Sequence, residues 1–128
     1  MLIAALALAG VAALIHIYIF YMESVAWTGE RARRTFGTSP GEAQATRALA
    51  FNQGFYNLFL ATMAVAGIIA FGSGAATVGA TLLFASSGSM AAAALVLLVS
   101  SPDKRAAALK QGIVPLLSLI ILALSLMP

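Results

Sequence analysis

Cysteine is absent from this sequence, charge is scarce, and histidine and tryptophan occur once each. Without cysteine there can be no disulfide framework, no thiolate nucleophile and no Cys-ligated metal. Charged residues make up 9% of the chain, where a soluble domain carries about 25%. A net charge of +3, clustered in a few places, does not suggest a nucleic-acid binder. It reads instead as topology information. One histidine and one carboxylate in the apolar part fall short of the usual metal-ligand set, so no metal is expected. Nucleophile-elbow, P-loop and dinucleotide-binding patterns are also missing. The Gly-rich piece Gly72–Gly79 lies far from the basic segments and carries little information.

What is abundant is apolar. Hydrophobic residues make up 62% of the 128. A chain this short has too much surface for its volume to hide them from water. Lipid is the expected solvent. Four apolar stretches stand out, near 2–26, 47–70, 76–99 and 106–127. Each is close to the roughly 20 residues that a helix needs to cross about 30 Å of hydrocarbon. Spanning segments must satisfy their own backbone hydrogen bonds, which these do as helices. The expected fold is an all-α integral membrane protein. It is one domain, 1–128, with four transmembrane helices in an up-down antiparallel bundle. The first stretch has no positive residues ahead of it and continues through Tyr18, Tyr21 and Trp27, so it reads as a retained helix.

The loops give orientation. Residues 28–46 form the one substantial loop. There Ser39-Pro40-Gly41-Glu42 has capping-box spacing with proline in the first turn, a plausible start for the second helix. The turn Phe71–Gly74 is short and uncharged, which predicts a tight hairpin of helices two and three. Residues 100–105 separate helices three and four. All seven Lys and Arg residues lie in or beside the loops 28–46 and 100–105. Positive loops stay cytoplasmic. The expected location is the inner (plasma) membrane, with both termini outside. Small residues four apart, such as Ala76 with Ala80, Ala85 with Ser89 and Gly88 with Ala92, suggest packing faces.

Most of the polar atoms expected in lipid lie in two stretches, His16–Trp27 and Phe51–Asn57. At roughly 100° per residue, His16, Phe20, Glu23 and Trp27 share one face of the first helix. On the second helix Asn52 and Tyr56 share a face, and Gln53 and Asn57 share the adjoining one. Gln111 lies at a comparable depth on helix four. Polar groups from three helices thus converge on the cytoplasmic half. Glu23 is the candidate acid or base, because a carboxyl group within a membrane span is by default a functional hypothesis. Burial and neighbouring donors pull its ionisation in opposite directions. Arg47 or Asn52 is its expected partner. His16, Trp27, Arg47, Asn52, Gln53, Tyr56, Asn57 and Gln111 are the candidate ligand contacts. His16 lies about 10 Å along the axis from Glu23, too far for a direct pair, and Tyr56 or Asn57 is its expected partner.

The segments Ile15–Thr28 (IHIYIFYMESVAWT) and Ala50–Ala61 (AFNQGFYNLFLA) resemble the signature of a family of small bacterial membrane proteins. That family is known only as domain of unknown function thirteen-oh-four. The resemblance covers essentially the whole chain and implies four membrane helices, with no established activity. Helix two is also similar to the second helix of the membrane-associated proteins in eicosanoid and glutathione metabolism, through Arg47, Asn52 and Phe59-Leu60-Ala61-Thr62. That similarity implies a homo-oligomer, a trimer, with glutathione as cofactor near the cytoplasmic face. Arg47 and Asn52 would then be the anion and amide contacts. This chain departs from the pattern in placing Asn52 one position late and in having no acid after it in the helix.

Two functions fit these residues. In the first, the cytoplasmic half binds a small amphiphilic or lipid-like ligand and uses Glu23 in acid or base chemistry. In the second, the polar groups only hold the helices together and the protein acts as a structural partner.

Overall fold

A computed structural model describes residues 1–127. It is all-helical among the described residues. Helix α1, Leu2–Phe20, runs into one π-helical turn, Tyr21–Val25. Two short helices follow, α2 (Glu30–Phe36) and α3 (Pro40–Ala45). Then come α4 (Arg47–Gly72) and α5 (Ala76–Ser100). A 3-10 turn, Pro102–Lys104, leads into α6 (Arg105–Ser125). Four of these segments are long and apolar enough to span a membrane: Leu2–Val25, Arg47–Gly72, Ala76–Ser100 and Pro102–Ser125.

The long helices form a ring. Helix α1 packs against α4 and α6, and α5 packs against the same two. One end of the bundle carries the termini and the α4–α5 turn. The other carries α2, α3 and most of the charge. The terminal half is tightly filled. Ala5, Ala9, Ala12 and Ala13 of α1 meet Ala61 and Ala64 of α4, Leu83 and Met90 of α5 and Leu122 of α6. Small side chains suit this core, because helix association in lipid depends on close van der Waals approach. Ser118 Oγ donates to the Ala5 carbonyl at 2.9 Å and ties α6 to α1. The α4–α5 hairpin is equally close. A Cβ added to Gly79 would lie 2.9 Å from the Gly67 carbonyl oxygen.

The packing face of α5 differs from the expected one. Gly79, Leu83, Ser86, Ser87, Met90 and Ala94 point inward. Ala76, Ala85, Ser89 and Ala92 are exposed, and Ala80 and Gly88 only half-buried. In a helix this rich in alanine several faces offer small residues four apart. The larger Leu83 and Met90 select the face that fills the core.

The first loop is more ordered than its sequence suggests. Within residues 28–46, α2 ends on Gly37 at φ 66°, a left-handed stop. The capping box is present. Ser39 N donates to Glu42 Oε2 at 2.8 Å and Glu42 N to Ser39 Oγ at 3.3 Å. It starts α3, however, and a break at Thr46 separates α3 from α4. Ala32 of α2 packs on Ile19 and Met22, flanked by Ile15 and Phe36, and this holds α2 against the end of α1.

Candidate functional site

The charged half of the bundle is not filled. A cavity of about 490 Å³ lies between all four long helices, bordered by His16, Glu23, Asn57, Met90 and Gln111. Tyr56 and Val96 also line it while remaining 63% and 66% exposed, so its lateral mouth lies between α4 and α5. A second cavity of about 420 Å³ lies nearer the short helices, bordered by Thr38, Glu42, Thr46 and Asp103. Glu23, Trp27, Gln53 and Lys104 line both. These four side chains form the wall between an inner and an outer chamber.

The π-helical turn builds this wall. Its extra residue per turn is sealed by the Ala26 amide donating to the Tyr21 carbonyl at 3.0 Å. π-turns of this kind are frequent at functional sites. Here the turn is pressed onto α4 at Gly54. A Cβ at Gly54 would lie 3.1 Å from the Phe20 carbonyl oxygen and from Glu23 Cβ, and it would overlap Ser24 Oγ. The bare backbone lets Ser24 Oγ donate to the Phe51 carbonyl at 2.8 Å. Glu23 is thereby brought to Asn57, whose Nδ2 donates to Glu23 Oε2 at 2.8 Å. The same Nδ2 lies 3.2 Å from the Gln53 carbonyl oxygen.

His16 is buried, 2% exposed. Its Nδ1 donates to the Ala12 carbonyl at 2.9 Å, not to Tyr56 or Asn57 as the sequence suggested. A carbonyl one turn back is within reach of the ring, so no partner helix is needed. Trp27 Nε1 donates to Thr46 Oγ1 at 3.2 Å, and the indole packs on Phe36 at 5.3 Å between ring centroids. Thr46 Oγ1 in turn donates to the Glu42 carbonyl at 2.7 Å. Trp27 therefore ties the end of α1 to the α3–α4 break.

Of the residues singled out from sequence, His16, Tyr56, Asn57 and Gln111 border the inner cavity, and Glu23, Trp27 and Gln53 border both. Arg47 and Asn52 border neither and are exposed. The partner of Glu23 is Asn57, not Arg47 or Asn52. The reason is angular. Gly54 and Ala50 face α1, and Asn52 lies roughly 160° around the helix from Gly54 at 100° per residue. Sequence reasoning missed Lys104 as a wall residue and Glu42 and Asp103 as borders of the outer chamber. Lys104 looked like an orientation signal and Glu42 like a cap. Glu42 is indeed a cap. The Ser39 backbone amide, then the Ser39 side chain and the charge of Lys104, hold its carboxyl below the usual carboxylate range. Among the described residues, no three His, Asp or Glu side chains gather as a metal site.

The family model described as protein of unknown function (DUF1304) matches residues 10–123. The chain belongs to this family. The matched region contains the π-turn, Gly54, Asn57 and Lys104, and so the whole wall between the chambers. No curated protein and no solved structure matches the chain.

Proposed function

We propose that this protein binds a small amphiphile in the charged half of its bundle, with the polar head at Glu23, Gln53 and Asn57. The apolar part would leave through the mouth beside Tyr56 and Val96 into the surrounding lipid. The observation that carries this reading is the inner cavity of about 490 Å³. All four long helices line it, whereas the pocket of about 510 Å³ at the terminal end is lined by α5 and Leu126 alone. Ligand sites between helices of a bundle have this form, largely apolar with a few convergent polar groups. The basic segments support an orientation with that end in the cytoplasm and both termini outside, in the plasma membrane. A reporter fused to the C-terminus tests this, and a cytoplasmic score would refute it.

The Glu23–Asn57 hydrogen bond favours a second reading. It joins α1 to α4, as interhelical polar bonds do in membrane proteins at about 0.6 kcal/mol each. On that reading the polar groups are structural and the protein serves as a partner for others. A thiol-dependent enzyme is less favoured, since Arg47 and Asn52 border neither cavity.

One experiment separates the two. Glu23→Gln and Gln111→Leu are compared with wild type in thermal stability and in the amphiphile retained, the latter by native mass spectrometry from mild detergent. Loss of a retained ligand at unchanged stability supports the site. Loss of stability with no ligand in any form refutes it.

A further inference from the structure

Several acceptors facing the inner cavity lack a partner in the protein, although the donor-bearing side chains of Gln53, Tyr56, Ser100, Lys104 and Gln111 line it as well. The Ala12 carbonyl can only accept, so His16 Nδ1 carries a proton and Nε2 of the neutral ring is an acceptor. Among the described residues Nε2 has no partner, and it belongs to a residue that is 2% exposed and borders the cavity. Glu23 Oε2 takes the Asn57 amide, which leaves Glu23 Oε1 and Asn57 Oδ1 without partners. Three unpaired acceptors on two helices thus border one cavity. Of the three residues only His16 is buried, Glu23 and Asn57 being half-buried, and a group that pairs with any of these acceptors must bring its own N–H or O–H.

Charge points the same way. The protein carries +3 overall, with only four acidic residues. Three of them, Glu23, Glu42 and Asp103, border the outer chamber beside a single cation, Lys104. The remaining one, Glu30, pairs with Arg34 on α2. The outer chamber is therefore a locally acidic place on a basic protein, and the inner cavity shares Glu23 and Lys104 with it.

We infer that the ligand is an amphiphile with a primary ammonium head, hydrogen-bonded to Glu23 Oε1 and reaching toward His16 Nε2, with an apolar tail directed between α4 and α5. This rests on the amphiphile-binding reading above. A primary ammonium has three donors and a positive charge. A quaternary ammonium has the charge but no donor, and a carboxylate has neither.

Trp27 is the one tryptophan of the chain and borders both chambers, so its emission reports on the site. Purified protein in dodecylmaltoside is titrated with dodecylamine, dodecyltrimethylammonium and dodecanoate. Dodecylamine is expected to bind at least about tenfold more tightly than the other two, as one or two charge-assisted hydrogen bonds require. Glu23→Leu should abolish that preference, and Asn52→Leu, which faces away, should keep it. Glu23→Gln, closer in shape, should weaken dodecylamine binding even if Glu23→Leu fails to fold. Short-chain phosphatidylethanolamine and phosphatidylcholine in the same assay distinguish the source of the amine. A preference for the ethanolamine lipid supports a membrane lipid. A preference confined to dodecylamine supports a free lipophilic amine. Equal binding of dodecylamine and dodecyltrimethylammonium, or tighter binding of dodecanoate, overturns the inference and leaves the amphiphile site standing. No response to any amphiphile overturns both.

Discussion

Asn57 Nδ2 donates to Glu23 Oε2 at 2.8 Å, across 34 positions of sequence. This one bond joins the π-turn at the end of α1 to the middle of α4 at the wall between two cavities. Asn57→Leu removes the donor and leaves the carboxyl facing apolar surroundings. The expected loss of stability is modest, about 0.6 to 1.7 kcal/mol, as for single interhelical hydrogen bonds in membrane proteins. Thermal melting in detergent measures it. An unchanged melting temperature would show that the bond contributes nothing to holding the helices.

Gly54 should be the least tolerant glycine of the charged half. Gly54→Ala sets a methyl group against Ser24 Oγ and the Phe20 carbonyl, and the π-turn must move away from α4. Overpacking of this kind costs about 1 to 3 kcal/mol. Gly88→Ala is the matched control, because a Cβ there meets nothing within 4 Å. Melting curves of the two variants are expected to diverge, with Gly88→Ala at or above wild type.

The hairpin of α4 and α5 gives a parallel test in the opposite half. Gly79→Ala places its Cβ 2.9 Å from both the Gly67 carbonyl oxygen and the Phe71 amide nitrogen. Backbone atoms cannot swing aside as a side chain can. Gly79→Ala should therefore destabilise at least as much as Gly54→Ala. It should leave amphiphile binding by the surviving folded protein unchanged, since the cavity lies at the other end.

The pH dependence of the short helix α3 follows from Glu42. The folded carboxyl lies below its ordinary value because the Ser39 amide bonds the charged form. A depressed folded pKa stabilises above the ordinary carboxylate value, about 4.3, and that stability is lost as pH falls through the lowered one. Amide exchange at Ala43 and Thr46, which bond Ser39 and Glu42 carbonyls, should quicken as pH is lowered through this window, relative to the intrinsic rate. Ser39→Ala should show the faster exchange already at neutral pH. Identical protection at neutral pH in wild type and Ser39→Ala would rule out the capping box as the cause.

Thr46→Val tests the strap at the rim. It removes the acceptor of Trp27 Nε1 while keeping the shape of the side chain. Trp27 emission is expected to move to shorter wavelength, as an indole N–H loses its hydrogen bond. No shift would mean that Phe36 alone holds the ring.

Composition and run length by themselves determined the four spanning helices. Nothing but internally bonded helices suits apolar segments of that length in lipid, whatever surrounds them. The capping box at Ser39 was equally legible, because its two bonds are local to four residues. The tertiary structure alone decided which polar groups meet. Asn52 and Asn57 are alike in kind and lie on one helix, and only the close approach allowed by Gly54 turns Asn57 toward Glu23 and Asn52 away. Lys104 joined the wall for the same reason: its place depends on how the Pro102–Lys104 turn packs on α5 and how α6 meets α1, a long-range relation that no short window of sequence contains.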